Sequence, residues 1–374
     1  MRVLLIGAGH AHLGVVREAA RLRAEGVELC LISPPVFRYS GLATGVLSGA
    51  LEPGAGEIDV AGLASAFGVA FHPSEITAID RSGRSVTLLD GATLTYDVLS
   101  LNVGSRTADP LELEAQADVW AVKPLSRLLE LRVRLEADID RSGACPNIVI
   151  AGTGQAGLEV AAALAGLCEQ RRVTPQITLV GPAFGAREAS TADRALRRTL
   201  ERRGAAFVDG AVAGRGPAVC RLASGQALAC EALVLATGLI PPQLVGRLGL
   251  ATDPSGRLLT RDTLQSTADD RIFATGDCAV IASAPRPCVG VFGVRATPVL
   301  VHNLGAIARG QRLKRFRPQA SWLSIMDLGD GTGLAQRGRW WWLGRASLHL
   351  KRRIDLDFIR RMRAPPPVGD KPVR

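Results

Sequence analysis

The chain has 374 residues, of which 47% are hydrophobic and 21% charged, and this composition excludes a wholly disordered protein. Its formal net charge is +10, but residues 301–374 carry 16 Lys and Arg against 5 Asp and Glu, so the preceding part is close to neutral. A near-neutral body with only 4% aromatic residues is not expected to bind nucleic acid.

The first predicted unit is a strand, a glycine turn and a helix. Val3 to Ile6 is an apolar strand that runs into Gly7-Ala8-Gly9-His10-Ala11-His12-Leu13-Gly14, a helical pattern and a second strand, Leu29 to Ile32. In such a unit the first glycine permits a tight turn, the second lets the backbone approach a pyrophosphate, and the third allows close helix packing. Here His12 occupies the third glycine position, and Ser33 stands where an acid commonly binds ribose.

The same pattern returns further along the chain. Ile148 to Ile150 precedes Ala151-Gly152-Thr153-Gly154-Gln155-Ala156-Gly157-Leu158-Glu159, an alanine-rich helix and a strand that ends at Gly181. Two such turns predict two dinucleotide sites, and ordinary glycine turns are the alternative. Since Gly181 is not an acid, NADH is not favoured over NADPH; Arg187 could meet a 2′-phosphate or be a solvated surface residue.

Three further segments combine a strand with small residues at its end. They are Tyr96 to Ser105, which contains Asn102 and Gly104; Leu233 to Gly238; and Arg271 to Cys278, which contains Gly276 and Asp277. With the two turns they form five motifs whose order resembles that of the two-dinucleotide-binding-domain flavoproteins, the pyridine nucleotide–disulfide oxidoreductase superfamily. The resemblance covers about the first 300 residues.

The resemblance implies an α/β fold with two Rossmann-like domains, the second inserted in the first. An FAD-binding domain would comprise residues 1–110 and 236–300, an NAD(P)-binding domain residues 111–235, and a small α+β region residues 301–374. The first turn would hold FAD, Asp277 would bond its ribityl or pyrophosphate region, and the second turn would hold NAD(P)H. The cofactor-binding residues would be Gly7, Gly9, His10, His12, Ser33, Asn102, Gly104, Gly276, Asp277, Gly152, Gly154, Gly157 and Gly238.

Within the superfamily, the chain is most similar to type II NADH dehydrogenases and sulfide:quinone reductases. More narrowly, it resembles flavoproteins found next to, or fused with, selenophosphate synthetase. The short segments behind this likeness are Gly9-His10-Ala11-His12, Tyr39-Ser40-Gly41, Val122-Lys123-Pro124, Gly293-Val294-Arg295, Pro298-Val299-Leu300, Phe316-Arg317-Pro318-Gln319 and Arg352-Arg353-Ile354-Asp355.

The cysteines bear on the reaction. None lies between Ser33 and Cys145, which argues against the dithiol of the disulfide-reductase branch. The simplest mechanism is then hydride transfer from NAD(P)H to FAD and reduction of a second small molecule, with a quinone favoured. Cys278 and Cys288 keep a sulfide or selenium-compound oxidoreductase open, and a flavin-binding redox sensor or docking protein with little turnover is a third hypothesis.

Three residues are candidates for catalysis. By its family position, Glu159 would handle a proton during quinone reduction, or it is an ordinary acid in a helix's first turn. Arg295, beside a helix expected from about Thr297 to Ala308, would stabilise negative charge on reduced flavin, or form an ordinary ion pair. Lys123 would reach the flavin edge, or be a surface lysine. No metal site is expected, because no Cys or acid completes a ligand set with His10 and His12.

The basic tail is predicted to contain strands at Trp322 to Leu328 and Leu334 to Gln336, then Trp340-Trp341-Trp342 and a helix from His349 to Met362. Tryptophans beside a basic amphipathic helix are typical of an interfacial membrane anchor, and a small C-terminal cap with a solvated arginine face is the alternative. The expected location is therefore the cytoplasm or the inner face of its membrane. A homodimer is left open, and the end of the chain from Ala364 is expected to be disordered.

Overall fold

Two five-stranded parallel sheets organise the molecule. The computed structural model describes residues 1–182 and 190–363. Arg187 and the segment from Ala364 lie outside the described residues. The first sheet has the strand order β21 (Ile272–Ala274), β9 (Val98–Leu101), β1 (Arg2–Ile6), β2 (Glu28–Ile32) and β5 (Ala70–His72). The second has the order β11 (Val119–Ala121), β18 (Ala232–Leu235), β12 (Ile148–Ala151), β13 (Ile177–Gly181) and β14 (Ala205–Asp209). The predicted α/β class with two Rossmann-like units is confirmed.

The first sheet is built mainly from the N-terminal part of the chain. The strands at Arg2–Ile6 and Val98–Leu101 are almost fully buried because both faces of the sheet are covered. Val3 and Leu5 pack with helix residues on one face, and Leu4 and Ile6 pack on the other with Val86 and Leu88 of an antiparallel three-stranded sheet. The strands are β1 (Arg2–Ile6), β2 (Glu28–Ile32), β3 (Val36–Arg38), β4 (Glu57–Asp59), β5 (Ala70–His72), β6 (Ile76–Asp80), β7 (Ser85–Leu88), β8 (Thr93–Thr95), β9 (Val98–Leu101) and β10 (Arg106–Thr107), and the helices are α1 (His10–Arg17), α2 (Ala19–Ala24), α3 (Ala43–Leu47) and α4 (Val60–Ala66).

The second sheet lies entirely within the middle of the chain. Its elements are β11 (Val119–Ala121), β12 (Ile148–Ala151), β13 (Ile177–Gly181), β14 (Ala205–Asp209) and β18 (Ala232–Leu235), with helices α5 (Ser126–Ser142), α6 (Gln155–Gln170) and α7 (Thr191–Arg202). A small antiparallel sheet adds β15 (Val212–Gly216), β16 (Val219–Leu222) and β17 (Ala227–Ala229). Strand β19 (Leu239–Ile240) pairs with β10 where the chain returns to the first unit.

The chain then completes the first sheet and adds a C-terminal unit. The strands are β20 (Leu258–Thr260), β21 (Ile272–Ala274), β22 (Ala279–Ile281), β23 (Ser324–Asp327), β24 (Gly333–Arg337) and β25 (Trp340–Gly344), and the helices are α8 (Gln243–Gly246), α9 (Gly290–Ala308) and α10 (Arg345–Met362). Short 3-10 turns lie at Ser40–Leu42, Leu113–Ala115 and Gly276–Cys278. Strands β23, β24 and β25 form an antiparallel sheet, as the tryptophan segment joins the two predicted tail strands.

Helix α9 begins earlier than predicted. It starts at Gly290, not near Thr297, so Arg295 lies within the helix, where its side chain is exposed. Proline is favoured in the first turn of a helix, so Pro298 favours a helix that begins near residue 297. The structure begins the helix one and a half to two turns earlier, and Pro298 lies inside it. Instead, Phe292, Ala296 and Leu300 form one buried stripe at helical spacing.

Helix α9 is also the one helix in the described parts of the chain that is long and apolar enough to cross a bilayer by composition alone. Half of that apolar stretch is buried within the fold. A Cβ on Gly14 of α1 would collide with Cγ2 of Thr297, so the two helices pack very closely. Such close packing against α1 is typical of a helix in the core of the fold.

Helix α10 begins at Arg345 rather than His349, and one of its basic residues is not on the surface. Lys351 is only 8% exposed, and Asp355, one turn later, is only 4% exposed. These side chains face the loop that contains Tyr39 and Gly41. The predicted basic helix therefore buries one of its positive charges, at Lys351.

Candidate functional site

The first glycine turn lies where three strands of the first sheet end. Gly7 follows β1 with φ +81°, and a Cβ there would lie 2.7 Å from the carbonyl oxygen of Asn102, which explains the glycine. The Asn102 side chain accepts hydrogen bonds from the amides of Ala11 and His12 (2.9 and 3.3 Å) and donates one to the carbonyl of Thr275 (2.8 Å). Asn102 therefore joins the ends of β1, β9 and β21.

This turn fits an anionic group. Helix α1 starts at His10 without a side-chain cap from the residue before it. Since the Asn102 side chain takes the amides of Ala11 and His12, the His10 amide is the first-turn donor left without a protein acceptor in the described chain. Beyond Asn102, Gly104 has φ +69° and no atom within 4 Å of the position of an added Cβ. The backbone is thus open to a ligand at two points.

The side chains of His12 and Ser33 are buried in the protein. The His12 side chain is fully buried, with Nδ1 2.7 Å from the carbonyl oxygen of Gly7 and Nε2 2.8 Å from Oγ of Ser100. Burial lowers the His12 pKa to about 4, so the ring is neutral. The Ser33 hydroxyl donates to the carbonyl of Pro34 (2.9 Å). Both side chains support the fold of the turn rather than project from it.

Lys123 and Asp277 meet at the end of β21. Lys123 Nζ lies 2.8 Å from Oδ2 of Asp277 and 2.9 Å from Oγ of Ser105, which itself donates to the same carboxylate oxygen. Burial opposes ionisation of Asp277, but Lys123 and the hydrogen bonds from Lys123 and Ser105 together lower its pKa. Gly276, with φ +74°, precedes this partly exposed ion pair. Beside it, Oγ1 of Thr275 is buried with no hydrogen-bond partner in the parts of the chain that the structure describes.

His10 lies in an aromatic cluster that includes the C-terminal helix. Its ring centroid is 5.3 Å from Phe37, 5.5 Å from Tyr39 and 5.2 Å from Phe358, and Tyr39 stacks on Phe358 at 4.8 Å. Burial lowers the His10 pKa to about 4. A Cβ on Gly290, at the start of α9, would lie 3.3 Å from the ring. His10 thereby joins the first glycine turn to α9 and α10.

The second glycine turn repeats the geometry of the first. Gly152 has φ +127°, and a Cβ there would collide with the carbonyl of Ala236 at the end of β18. A Cβ on Gly157 would collide with the carbonyl of Gly152, so helix α6 packs tightly on the turn. Gly154 has open space around it, and α6 starts after it without a side-chain cap. The amides that begin α6 are therefore available to an anion. Gly238, with φ +114°, accepts a hydrogen bond from the amide of Ala108.

Glu159 lies where three parts of the chain meet. Its Oε1 accepts hydrogen bonds from the Thr44 hydroxyl of α3 and the Asp327 amide of β23, both at 3.3 Å. Burial raises the Glu159 pKa, and the positive charge of Lys351 only partly opposes this effect. A carboxyl with a raised pKa between domains is a candidate proton donor.

Polar side chains of helix α10 also act on Glu159, through the charge of Lys351. Lys351 donates to the carboxylate of Asp355 (2.8 Å) and to the carbonyl of Gly41, and the Tyr39 hydroxyl donates to the other oxygen of Asp355 (2.9 Å). Burial disfavours the charged lysine, but Asp355 and Glu159 together raise its pKa. We call Tyr39, Glu159, Asp327, Lys351 and Asp355 the interdomain polar cluster.

Sequence reasoning found one member of this cluster, Glu159. It missed the buried position of Lys351 because the lysine lies among arginines, which are typical of a solvated face. The sequence does contain a signal for this pair: Lys351 and Asp355 are four residues apart, which puts opposite charges on one side of a helix. Arg295 takes no part in these contacts, because it is exposed and has no ion pair within residues 1–182 and 190–363.

The two thiols near Asp277 are not in contact with each other. Cys278 donates to the carbonyl of Thr275 (3.3 Å) and Cys288 to the carbonyl of Asp277 (3.7 Å). Burial raises the pKa of Cys278 to about 12 and also raises that of Cys288. Across the described stretches, no group of three or more His, Cys, Asp or Glu could hold a metal ion.

Two parallel sheets, each with an open glycine turn at its carboxyl edge, define a reductase-type fold with two dinucleotide sites. Residues 1–303 match the model of the pyridine nucleotide-disulphide oxidoreductase family, and the chain belongs to this family. The predicted cofactors, FAD and NAD(P)H, are confirmed, since the family uses both.

Similar proteins differ in their electron acceptors. An NADH dehydrogenase-like protein of Mycobacterium tuberculosis is 29% identical over 294 residues, covering 74% of this chain and 72% of the relative. A probable ferredoxin reductase of Castellaniella defragrans is 28% identical over 346 residues, covering 86% and 78%. The sulfide:quinone oxidoreductase structure of Aquifex aeolicus has a TM-score of 0.80 at 18% identity, covering 98% of this chain and 93% of that one. The chain is thus an NAD(P)H-dependent flavin oxidoreductase.

Proposed function

We propose that this chain transfers hydride from NAD(P)H to bound FAD and passes the electrons to a quinone at a membrane surface. The observation that carries the choice of acceptor is the interdomain polar cluster. It combines Tyr39 of the first unit, Glu159 of the second, and Asp327, Lys351 and Asp355 of the C-terminal unit. Thr44 of the first unit also donates a hydrogen bond to Glu159. Acceptor chemistry that consumes protons needs a donor of this kind.

The cofactors are assigned to the two turns. The turn at Gly7 and Gly9 would hold the FAD pyrophosphate through the His10 amide, with Asp277 and Thr275 next to the sugar or ribityl part. The turn at Gly152, Gly154 and Gly157 would hold NAD(P)H at the start of α6. Bound FAD supplies the exchange of hydride for electrons, and the protein supplies orientation and electrostatics.

The proton balance gives Glu159 its role. Reduction of a quinone to a quinol takes two electrons and two protons, of which the hydride of NAD(P)H brings two electrons and one proton. The second proton comes from solvent, and the raised pKa favours the protonated Glu159 carboxyl, which could pass this proton on. Lys351 would restore the charge balance when Glu159 is ionised, since its charge already acts on that carboxyl.

A surface of the C-terminal unit supports the membrane location. Trp340 is 82% exposed, and Trp342 on the same face of β25 is 41% exposed. Arg339 and Arg345 flank this strand and are exposed. We call these four residues the tryptophan–arginine surface. Exposed tryptophan next to arginine suits the interface of an anionic bilayer, from which a quinone could reach the protein.

The alternative acceptors have less support. A sulfide or selenium-compound oxidoreductase would use Cys278 and Cys288, but both thiols donate to backbone carbonyls and have raised pKa values, which disfavours the reactive thiolate. A sensor or docking protein with little turnover does not need a proton donor between its domains.

The test is anaerobic titration of the purified flavoprotein with NADH, NADPH and sulfide in turn, followed by a water-soluble quinone. We expect NADH or NADPH to bleach the flavin absorbance. The quinone should then restore the absorbance at a rate fast enough to support catalytic turnover. Bleaching by sulfide alone would refute the assignment of the donor. Bleaching by NAD(P)H without reoxidation by quinone would refute the acceptor, and absence of bound FAD would refute the whole proposal.

A further inference from the structure

Two cysteines of the nucleotide-binding unit touch each other, although they are distant in sequence. Sγ of Cys168 lies 3.2 Å from Sγ of Cys145. Cys145 lies in the loop between α5 and β12, and Cys168 lies in the last turn of α6. Both side chains are buried, at 7% and 2% exposure. Two thiols at this distance need only a small approach of their sulfurs to form a bond.

The segment between these thiols is the second nucleotide site. From residue 145 to residue 168 the chain forms β12, the turn at Gly152 to Gly157 and nearly all of α6, including Glu159. A bond between the two sulfurs would close a loop around this strand–turn–helix segment. We propose that Cys145 and Cys168 form a reversible disulfide when a peroxide oxidises the chain, a modification site outside the hydride-transfer chemistry.

The two thiols differ in acidity, as a reaction with one nucleophilic and one resolving thiol requires. The hydrogen bond from Cys168 lowers the pKa of Cys145, and the same interaction raises the pKa of Cys168. Cys145, whose Sγ also lies 3.4 Å from the carbonyl oxygen of Pro146, is therefore the more acidic of the two thiols and, as its thiolate, the expected nucleophile. It attacks one oxygen of hydrogen peroxide, the O–O bond breaks, and hydroxide leaves, which gives a sulfenic acid on Cys145. The Cys168 sulfur then displaces the sulfenic oxygen, which leaves as water with the proton of Cys168, and the disulfide forms.

Cys145 lies slightly closer to solvent than Cys168. Both side chains belong to the same core, but Cys145 is 7% exposed and Cys168 2%. Residues 141–144, directly before Cys145, are all exposed, and Gly143 ends α5 in a left-handed conformation. We therefore expect oxidation to begin at Cys145 and end at Cys168.

The proposal is tested by mass spectrometry of the whole FAD-containing protein. The protein is treated with hydrogen peroxide, denatured, alkylated with iodoacetamide and digested with trypsin. Cleavage after Arg141 and Arg171 places both cysteines in one peptide, residues 142–171, which contains no other Lys or Arg before its end. We expect that peptide to lose both alkyl labels and two hydrogens after peroxide, and to regain both labels after dithiothreitol.

Matched variants give the control. Cys30→Ala removes a buried cysteine of β2 and should leave the change in peptide 142–171 intact. Cys168→Ala should stop the reaction at a sulfenic acid on Cys145, which dimedone traps. Full alkylation of both thiols after peroxide treatment, or oxidation of Cys145 to sulfinic acid without a disulfide, would overturn the proposal. None of these readouts depends on the electron acceptor, so the proposed quinone reduction can fail while this inference stands.

Discussion

At the scale of single residues, Glu159 gives a direct test of proton delivery. Glu159→Gln keeps the oxygen that accepts from Thr44 and Asp327 but removes the transferable proton. We expect quinone reduction to slow by about 100-fold, a typical contribution of a general acid. Bleaching of the flavin by NAD(P)H should keep its rate, because hydride transfer needs no proton from this carboxyl. Stopped-flow measurement of the two half-reactions separates these effects.

The raised pKa of Glu159 also fixes the direction in which the rate of quinone reduction should change with pH. The Glu159 pKa is raised, and only the protonated form donates, so the rate of quinone reduction should fall as pH rises through that pKa. The Glu159→Gln variant should lack this decrease. Glu169→Gln is the matched control, since Glu169 lies on the same helix but pairs with Arg203 near the surface. If this control lost activity to the same extent as Glu159→Gln, the proton-donor role would be refuted.

At the scale of elements, a partly buried hydrogen bond holds α10 on the first unit. Tyr39→Phe removes the hydroxyl that donates to the Asp355 carboxylate and keeps the ring that stacks on Phe358. A hydrogen bond to a charged group contributes about 1.5–3 kcal/mol, and the free energy of unfolding should fall by that amount. Urea denaturation followed by tryptophan fluorescence measures the change.

The chain's other tyrosine is the control for this measurement. Tyr96 is also buried, and its hydroxyl makes no hydrogen bond within the described residues. Tyr96→Phe should therefore change the free energy of unfolding much less than Tyr39→Phe. Equal effects of the two substitutions would mean that the contact with Asp355 does not stabilise the docking of α10.

The elements also show what sequence can and cannot predict here. The two strand–turn–helix units are predictable because a buried parallel strand, a glycine turn and an amphipathic helix are all encoded locally. The start of α9 and the burial of Lys351 are not, because each depends on a distant partner. Gly290 begins a helix against His10, and Lys351 is buried because Gly41 and Asp355 satisfy its ammonium group. Glu159 is predictable by position, but its neighbours Thr44 and Asp327 are not.

At the scale of the whole molecule, the net charge of +10 concerns location rather than chemistry. The surplus lies in residues 301–374, while the site residues rely on backbone amides and on paired charges such as Lys123 with Asp277. Under the proposed function, the surplus in this part of the chain would attract the C-terminal unit to an anionic surface and so orient the molecule. The tryptophan–arginine surface lies within that end, so charge and apolar contact would act together.

This orientation predicts salt-dependent binding to vesicles. The protein should sediment with vesicles that contain phosphatidylglycerol and less with vesicles of phosphatidylcholine alone, and high salt should reduce the binding. Replacing both Trp340 and Trp342 by Ala should reduce it further, because apolar contact adds to the electrostatic attraction. The matched control replaces Leu89 and Val133 by Ala, two apolar residues that are 69% and 67% exposed outside the C-terminal unit. If the control weakened binding as much as the tryptophan variant, or if neutral vesicles bound equally well, the tryptophan–arginine surface would not be the contact. In that case the quinone would have to reach the interdomain polar cluster from solution.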